Sequence, residues 1–118
     1  MTQPQDQGAR PLTPATFHIL LSVAQGPAHG YRIKRVVEER TNGAVQLGAG
    51  TLYAGIRRMV GDGIIEETKP PEDTGAVEPG SRWRFYGITD VGTEVLEREI
   101  ARLESDLLVA RAVVPRPA

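Results

Sequence analysis

Hydrophobic positions along this chain fall into four helical stripes and one pair of alternating runs, punctuated by glycine and proline. Leu12-Thr13-Pro14 opens the first stripe: Thr13 suits an N-cap, Pro14 the first helical position, and Leu12 can staple onto Phe17. Phe17, Leu20, Leu21 and Ala24 follow at helical spacing, and Gly26-Pro27 ends the run. A second helix is predicted from Gly30 to Arg40, with Tyr31, Ile33, Val36 and Val37 inward and Arg32, Arg35 and Glu39 outward. Asn42-Gly43 closes it, and Ala44 to Leu47 has room for a brief strand at most. Gly48-Ala49-Gly50-Thr51 reads as the turn that opens a third helix. Leu52, Ile56, Met59 and Val60 lie on one face of that helix, Tyr53, Arg57 and Arg58 lie off it, and Asp62-Gly63 ends it.

Ile64 to Lys69 and Arg82 to Ile88 read as two strands of a hairpin whose long tip, Pro70 to Ser81, is rich in Pro, Gly, Glu and Asp and is expected to be a mobile loop. Thr89 caps a last helix of about six turns that runs to Val113 before Pro115 and Pro117. Met1 to Pro11 shows no periodicity and reads as a disordered tail. The predicted organisation is a tail over 1–11, a folded domain over 12–89, a helix over 90–113 and a tail over 114–118.

Three short helices and a hairpin can bury one small core between them. The tightly joined second and third helices then form a helix-turn-helix, with the hairpin as a wing beside it. The expected fold class is mainly α with a small β-hairpin: a winged helix-turn-helix plus a C-terminal dimerisation helix. In that arrangement the third helix presents its N-terminal residues to base edges in the major groove of double-stranded DNA. Its opening turn carries no bulky side chain, so backbone N–H groups at a positive helix end can approach a phosphate closely. The candidate DNA contacts are Gly50, Thr51, Tyr53, Ala54, Arg57 and Arg58 on the helix, with Arg82 and Arg84 on the wing. Taken singly, two arginines on a polar face are ordinary solvated residues and a tyrosine is as often packed as exposed; the arrangement as a whole makes them a candidate site.

Composition narrows the function further. With 118 residues there is room for one core, and 40% hydrophobic with 25% charged residues is the usual balance of a soluble domain. The absence of cysteine excludes a disulfide framework, a thiolate metal site and a cysteine nucleophile. No apolar run is long enough to span a bilayer, and the polar N-terminus lacks a signal-peptide stretch. A cytoplasmic protein with no membrane partner is therefore expected. Net charge is −1, unevenly spread: Ala28 to Lys69 holds seven bases against five acids, and Asp90 to Arg111 six acids against three bases. His18 and His29 stand apart, without a cysteine or carboxylate pattern, so neither a metal nor a cofactor is expected. The glycines at 48 and 50 do not form a phosphate loop, because no Lys follows and no βαβ unit precedes them. Lacking a paired acid and base, the chain is not expected to be an enzyme.

Leu96, Ile100, Leu103 and Leu107 are spaced 4, 3 and 4, with Ala110 and Val114 in the same row. That rhythm suits pairing of two copies into a homodimer; the alternative is that the row covers the helix's own core. Two-fold pairing would set two recognition helices about one DNA turn apart on a pseudo-palindromic operator. Trp83 either stacks on a small-molecule effector or packs on the hairpin's outer face.

Several segments together resemble the PadR family of transcriptional regulators. These are Leu12-Thr13 through Phe17 to Leu21, His29-Gly30-Tyr31, Gly50-Thr51-Leu52-Tyr53, Asp62-Gly63-Ile64-Ile65-Glu66, and Phe85-Tyr86-Gly87-Ile88-Thr89-Asp90-Val91-Gly92. The resemblance covers about residues 12–110 and implies a dimeric winged-helix repressor, released by a small molecule or another signal, whose last helix pairs the chains. Because one helix follows the wing, it resembles the short subfamily. Gly87 departs from the basic residue often found there, and Glu72, Asp73 and Glu78 at the wing tip would repel phosphate, which favours Arg82 and Arg84 as the wing contacts. The rival reading is a winged-helix module for protein–protein contact without DNA readout. It predicts an apolar or acidic outward face on the third helix, and Arg57 and Arg58 count against it.

Overall fold

Each helix begins where a side chain can take an otherwise orphaned backbone N–H, or where none is offered at all. The structure, a computed structural model, describes residues 10–71 and 84–115. It contains α1 (Pro14–Ala24), β1 (Ala28–His29), α2 (Gly30–Arg40), α3 (Ala49–Gly61), β2 (Ile65–Thr68), β3 (Phe85–Ile88) and α4 (Asp90–Val113). The expectations for residues 1–9, for the wing tip with Glu72, Asp73 and Glu78, for Arg82 and Trp83, and for residues 116–118 lie outside the described residues.

Thr13 caps α1 by accepting from the Thr16 N–H at 3.2 Å. His29 caps α2: its Nδ1 accepts from the Arg32 N–H at 3.1 Å. Thr89 caps α4 by accepting from the Gly92 N–H at 3.0 Å. Helix α3 differs. Its N-cap is Gly48, with no side-chain cap, and it starts at Ala49, so Gly50 and Thr51 belong to its first turn and not to the turn before it.

The buried face of α1 is Ile19, Leu20 and Val23, whereas Phe17 and Leu21 are half-buried and Ala24 is exposed. The expected stripe is thus rotated, because α1 is packed by α2, α3, β3 and α4 and its core face is set from several sides. Helix α3 comes close enough to α1 that a Cβ at Gly55 would lie 3.2 Å from Ile19 Cδ1. Ile33 and Val37 bury α2, and Leu52, Ile56 and Met59 bury α3. Tyr31, expected inward, is 59% exposed. It stands two residues before Ile33, about 200° around the helix from the core-facing side. Val60, also expected inward, is 40% exposed.

The sheet has the order β1-β3-β2, antiparallel throughout, with Ala28 opposite Tyr86 and Ile65 opposite Ile88. The brief strand expected at Ala44 to Leu47 is absent. Thr41 holds that segment instead: its hydroxyl donates to the Val37 carbonyl at 2.8 Å and accepts from the Val45 N–H at 3.0 Å, while Leu47 is buried. The third strand is β1, two residues just before α2. Gly87 is buried in β3, where a Cβ would meet Thr68 Cγ2 at 3.1 Å, so any larger residue there requires Thr68 to give by a few tenths of an ångström.

Helix α4 starts against the domain and then leaves it. Leu96 is buried in the core cluster. Glu99 is buried too, paired with Arg102 and accepting from the Leu12 N–H at 3.4 Å. From Ile100 onward every apolar side chain is exposed: Ile100 43%, Leu103 43%, Leu107 48%, followed by Leu108, Val109 and Val113. Leu96 therefore serves its own domain, and the open row that the sequence assigned to pairing begins at Ile100. Among the described residues, no helix is long and apolar enough to cross a membrane.

Candidate nucleic-acid interface

The outward face of α3 carries Gly50, Thr51, Tyr53, Ala54 and Arg57, all exposed. With no side-chain cap at Gly48, the N–H groups of the first turn are left for an outside acceptor. A Cβ at Gly48 or Gly50 would meet nothing within 4 Å, so internal packing does not require glycine at either place. What their smallness does is keep the helix end open to close approach.

Tyr53 and Arg57, one turn apart, line a hollow of about 290 Å³ between α3, the start of α2 and the wing root. Tyr86 closes it from β3, Arg84 from the residue just before that strand, and Gly30 and Tyr31 from α2. Arg84 lies 3.8 Å from Glu67, a loose exposed pair that leaves the guanidinium available. Burial first, then the Glu67 carboxylate and the Tyr53 phenol, raise the Tyr86 pKa above its usual value against the opposing pull of Arg84, so the phenol stays protonated and able to donate. The ring of Tyr53 lies where a Cβ on Gly30 would sit, with its hydroxyl 2.8 Å from that point. Glycine at 30 is what lets Tyr53 lie against the start of α2.

The sequence-derived set therefore divides. Tyr53, Arg57 and Arg84 meet in one hollow, with Gly50, Thr51 and Ala54 beside it on the same helix. Arg58 does not join them. It lies on the other flank of α3, with Arg10, Met59 and Asp62. Arg82 lies outside the described residues. Sequence reasoning missed Tyr31 and Tyr86 as members of the hollow. The signal available was the His29-Gly30-Tyr31 triplet, in which a glycine opening a helix marks a close approach. His29 is both cap and wall: its ring meets Phe85 edge-on at 5.3 Å, and burial, reinforced by Arg32, lowers its pKa. His18, bonded to the Arg40 guanidinium at 3.0 Å, is lowered in the same way, by burial and then by Arg40. Among the described residues, no group of three or more His, Asp or Glu side chains is placed to hold a metal.

The sequence profile of the PadR-like transcriptional regulators matches residues 19–98. The chain belongs to the PadR-like family. This PadR-like chain is 33% identical over 85 residues to an uncharacterized 37.1 kDa transposon protein of Streptomyces fradiae; the match covers 72% of the chain and only 21%, about a fifth, of that relative's length. Its fold is similar to a transcriptional regulator from Clostridium thermocellum, with TM-score 0.69 and 20% identity over 98% of this chain and 99% of that one. A PadR family transcription regulator from Clostridium difficile also gives TM-score 0.69, at 23% identity over 85% and 97% of the two chains. Those likenesses establish the winged-helix fold with its C-terminal helix.

Proposed function

We propose that this PadR-like regulator is a cytoplasmic dimeric repressor that reads a pseudo-palindromic operator in double-stranded DNA and is released by a small-molecule or other signal. The observation that carries the reading is the convergence of Arg57, Arg84 and three tyrosines at the exposed, uncapped end of α3. Helix α3 enters the major groove, with Thr51, Tyr53 and Arg57 toward the bases and backbone and the N–H groups at Gly50 on a phosphate. The small side chain of Ala54 leaves room for close approach. Arg84 holds a flanking phosphate from the wing root, and Tyr31 and Tyr86 bracket the same strand. The exposed row Ile100, Leu103 and Leu107 pairs with that of a second copy.

Fluorescence anisotropy on a selected operator and on a scrambled duplex, at two salt concentrations, tests this with Arg57→Ala. If Arg57 holds a phosphate, affinity falls on both duplexes and the salt dependence becomes shallower by about one counterion per half-site. If it reads a guanine, operator affinity falls by ~1–3 kcal/mol and preference relaxes at one base pair. Unchanged binding in Arg57→Ala and in Tyr53→Ala/Arg57→Ala would refute the reading and leave the protein-contact module in its place.

A further inference from the structure

Helix α2 closes on Asn42, the one asparagine of the chain. Thr41 is the C-cap, and the two residues after it seal the end together. The Asn42 N–H donates to the Glu39 carbonyl at 3.2 Å, and the Gly43 N–H to the Glu38 carbonyl at 2.8 Å. That is a Schellman closure, and it holds both residues at positive φ, 54° and 80°. Among residues with a side chain, asparagine accepts that backbone most readily. The demands of the cap therefore set asparagine directly before glycine. Both residues are exposed, and among the described residues a Cβ on Gly43 would meet nothing within 4 Å, so no other element crowds the dipeptide.

We propose that Asn42 is a site of spontaneous covalent modification, by deamidation and isomerisation, within the turn of the helix-turn-helix. The Gly43 backbone nitrogen gives its proton to hydroxide and attacks Asn42 Cγ. A new N–Cγ bond closes a five-membered succinimide, and the side-chain nitrogen leaves as ammonia, taking a proton from water. A further water opens the ring. Breaking the N–Cγ bond leaves an ordinary aspartate; breaking the bond to the main-chain carbonyl leaves isoaspartate, with the chain now running through Cβ and Cγ. The 2.8 Å bond sets the pace: Gly43 N–H must leave the Glu38 carbonyl before it can react, so attack waits for the last turn of α2 to open. The products then act on the cap itself. A carboxylate here lies at the negative end of the α2 dipole. Isoaspartate also lengthens the main chain by a methylene, so the Asn42 and Gly43 N–H groups no longer both reach their carbonyls. Thr41, whose hydroxyl accepts from the Val45 N–H at 3.0 Å, stands next to the change. The link that sets α3 against α2, where the Tyr53 ring lies over Gly30, is thereby loosened. The modification does not depend on function; its effect on operator binding rests on the repressor reading.

The test ages the full native chain at mildly alkaline pH and digests it with trypsin. Cleavage after Arg40 and Arg57 isolates residues 41–57, in which Asn42 is the sole source of isoaspartate. Enzymatic methylation of isoaspartate in that peptide, read by mass spectrometry, should show modification at position 42 growing with time, faster at higher pH and faster again in urea. The modified chain, separated by ion exchange, should unfold at a urea midpoint lower by roughly 0.5 M or more, the contribution of one or two backbone bonds, and should bind the operator less tightly than fresh chain. Asn42→Gly suits positive φ and has no side-chain amide to lose, so it should age without either change. An aged native chain unmodified at position 42, under conditions that modify the urea-unfolded chain, would show the cap to be a complete block and overturn the proposal. Isoaspartate at position 42 with an unchanged midpoint would overturn its effect on the turn. Should fresh chain fail to bind the operator, the DNA reading fails by itself, while the peptide and the urea midpoint still decide the modification.

Discussion

Replacing Gly92 with alanine sets two effects against each other, and the structure decides which wins. Glycine inside a helix costs up to ~1 kcal/mol relative to alanine, so propensity alone predicts stabilisation. The new Cβ, however, would sit 2.0 Å from the Ile64 carbonyl oxygen, 3.0 Å from its carbon and 2.9 Å from Ile88 Cγ1. The obstacle is backbone and cannot rotate away, so the first turn of α4 must retreat by roughly 1.5 Å to reach an ordinary contact distance. That retreat loosens the Thr89 N–H to Ile64 carbonyl bond at 3.2 Å and the Thr89 hydroxyl to Gly63 carbonyl bond at 2.6 Å. Two such bonds are worth ~1–3 kcal/mol together, and disturbed packing around Leu96 adds ~1–3 kcal/mol. After the propensity gain, Gly92→Ala should cost ~1–5 kcal/mol, a large share of the ~5–15 kcal/mol typical of a folded domain. Urea unfolding followed by circular dichroism, at one fixed chain concentration, reads this as a midpoint lowered by ~1–3 M. A variant as stable as the native chain, or more so, would mean that helix propensity dominates and that the α4 contact with Ile64 yields freely.

Gly30→Ala should do the reverse: the three atoms nearest its Cβ all belong to the movable side chain of Tyr53, so stability stays within ~1 kcal/mol while operator affinity falls in anisotropy titrations, and unchanged affinity would remove Tyr53 from the interface. Leu103→Asp puts a charge into the proposed seam and should shift sedimentation from dimer to monomer; a native chain already monomeric at micromolar concentration would sink the pairing scheme. His18 and His29 both have pKa values lowered in the folded state, so the unfolded chain binds protons more readily. Stability should be full above the unfolded value of about 6.5 and decline as pH falls below it towards the folded values. His18→Gln/His29→Asn should flatten the urea midpoints between neutral and mildly acid pH, and a native midpoint that does not move over that interval would contradict the assignment.

Where a local rule is strong, the chain could be read directly. Thr13, Thr89, Asn42-Gly43 and Asp62-Gly63 each mark a helix end by their own chemistry, and Asn42, Gly43 and Gly63 do take positive φ at 54°, 80° and 76°. What escaped depends on neighbours distant in sequence. Strand β1 is two residues long and has no period of its own; it exists because β3 lies beside it. The buried side of α1 is chosen by four partners, and Leu96 looks like its heptad neighbours until the point where α4 leaves the domain is known. Arg57 and Arg58 are adjacent in sequence yet face opposite flanks of α3, a separation of about 100° that composition cannot weigh.

Thr89 has a consequence for scale. Its hydroxyl donates to the carbonyl of Gly63, just past α3, and accepts from Gly92 in the first turn of α4. One side chain is thus the pivot between α3, the proposed reading helix, and the longer α4, whose 24 residues span about 36 Å. A tilt of about 10° at that pivot moves the far end of α4 by about 6 Å, nearly two base-pair steps of 3.4 Å. In a two-fold pair joined along α4, the reach between half-sites is therefore set at Thr89 and multiplied by the length of the lever.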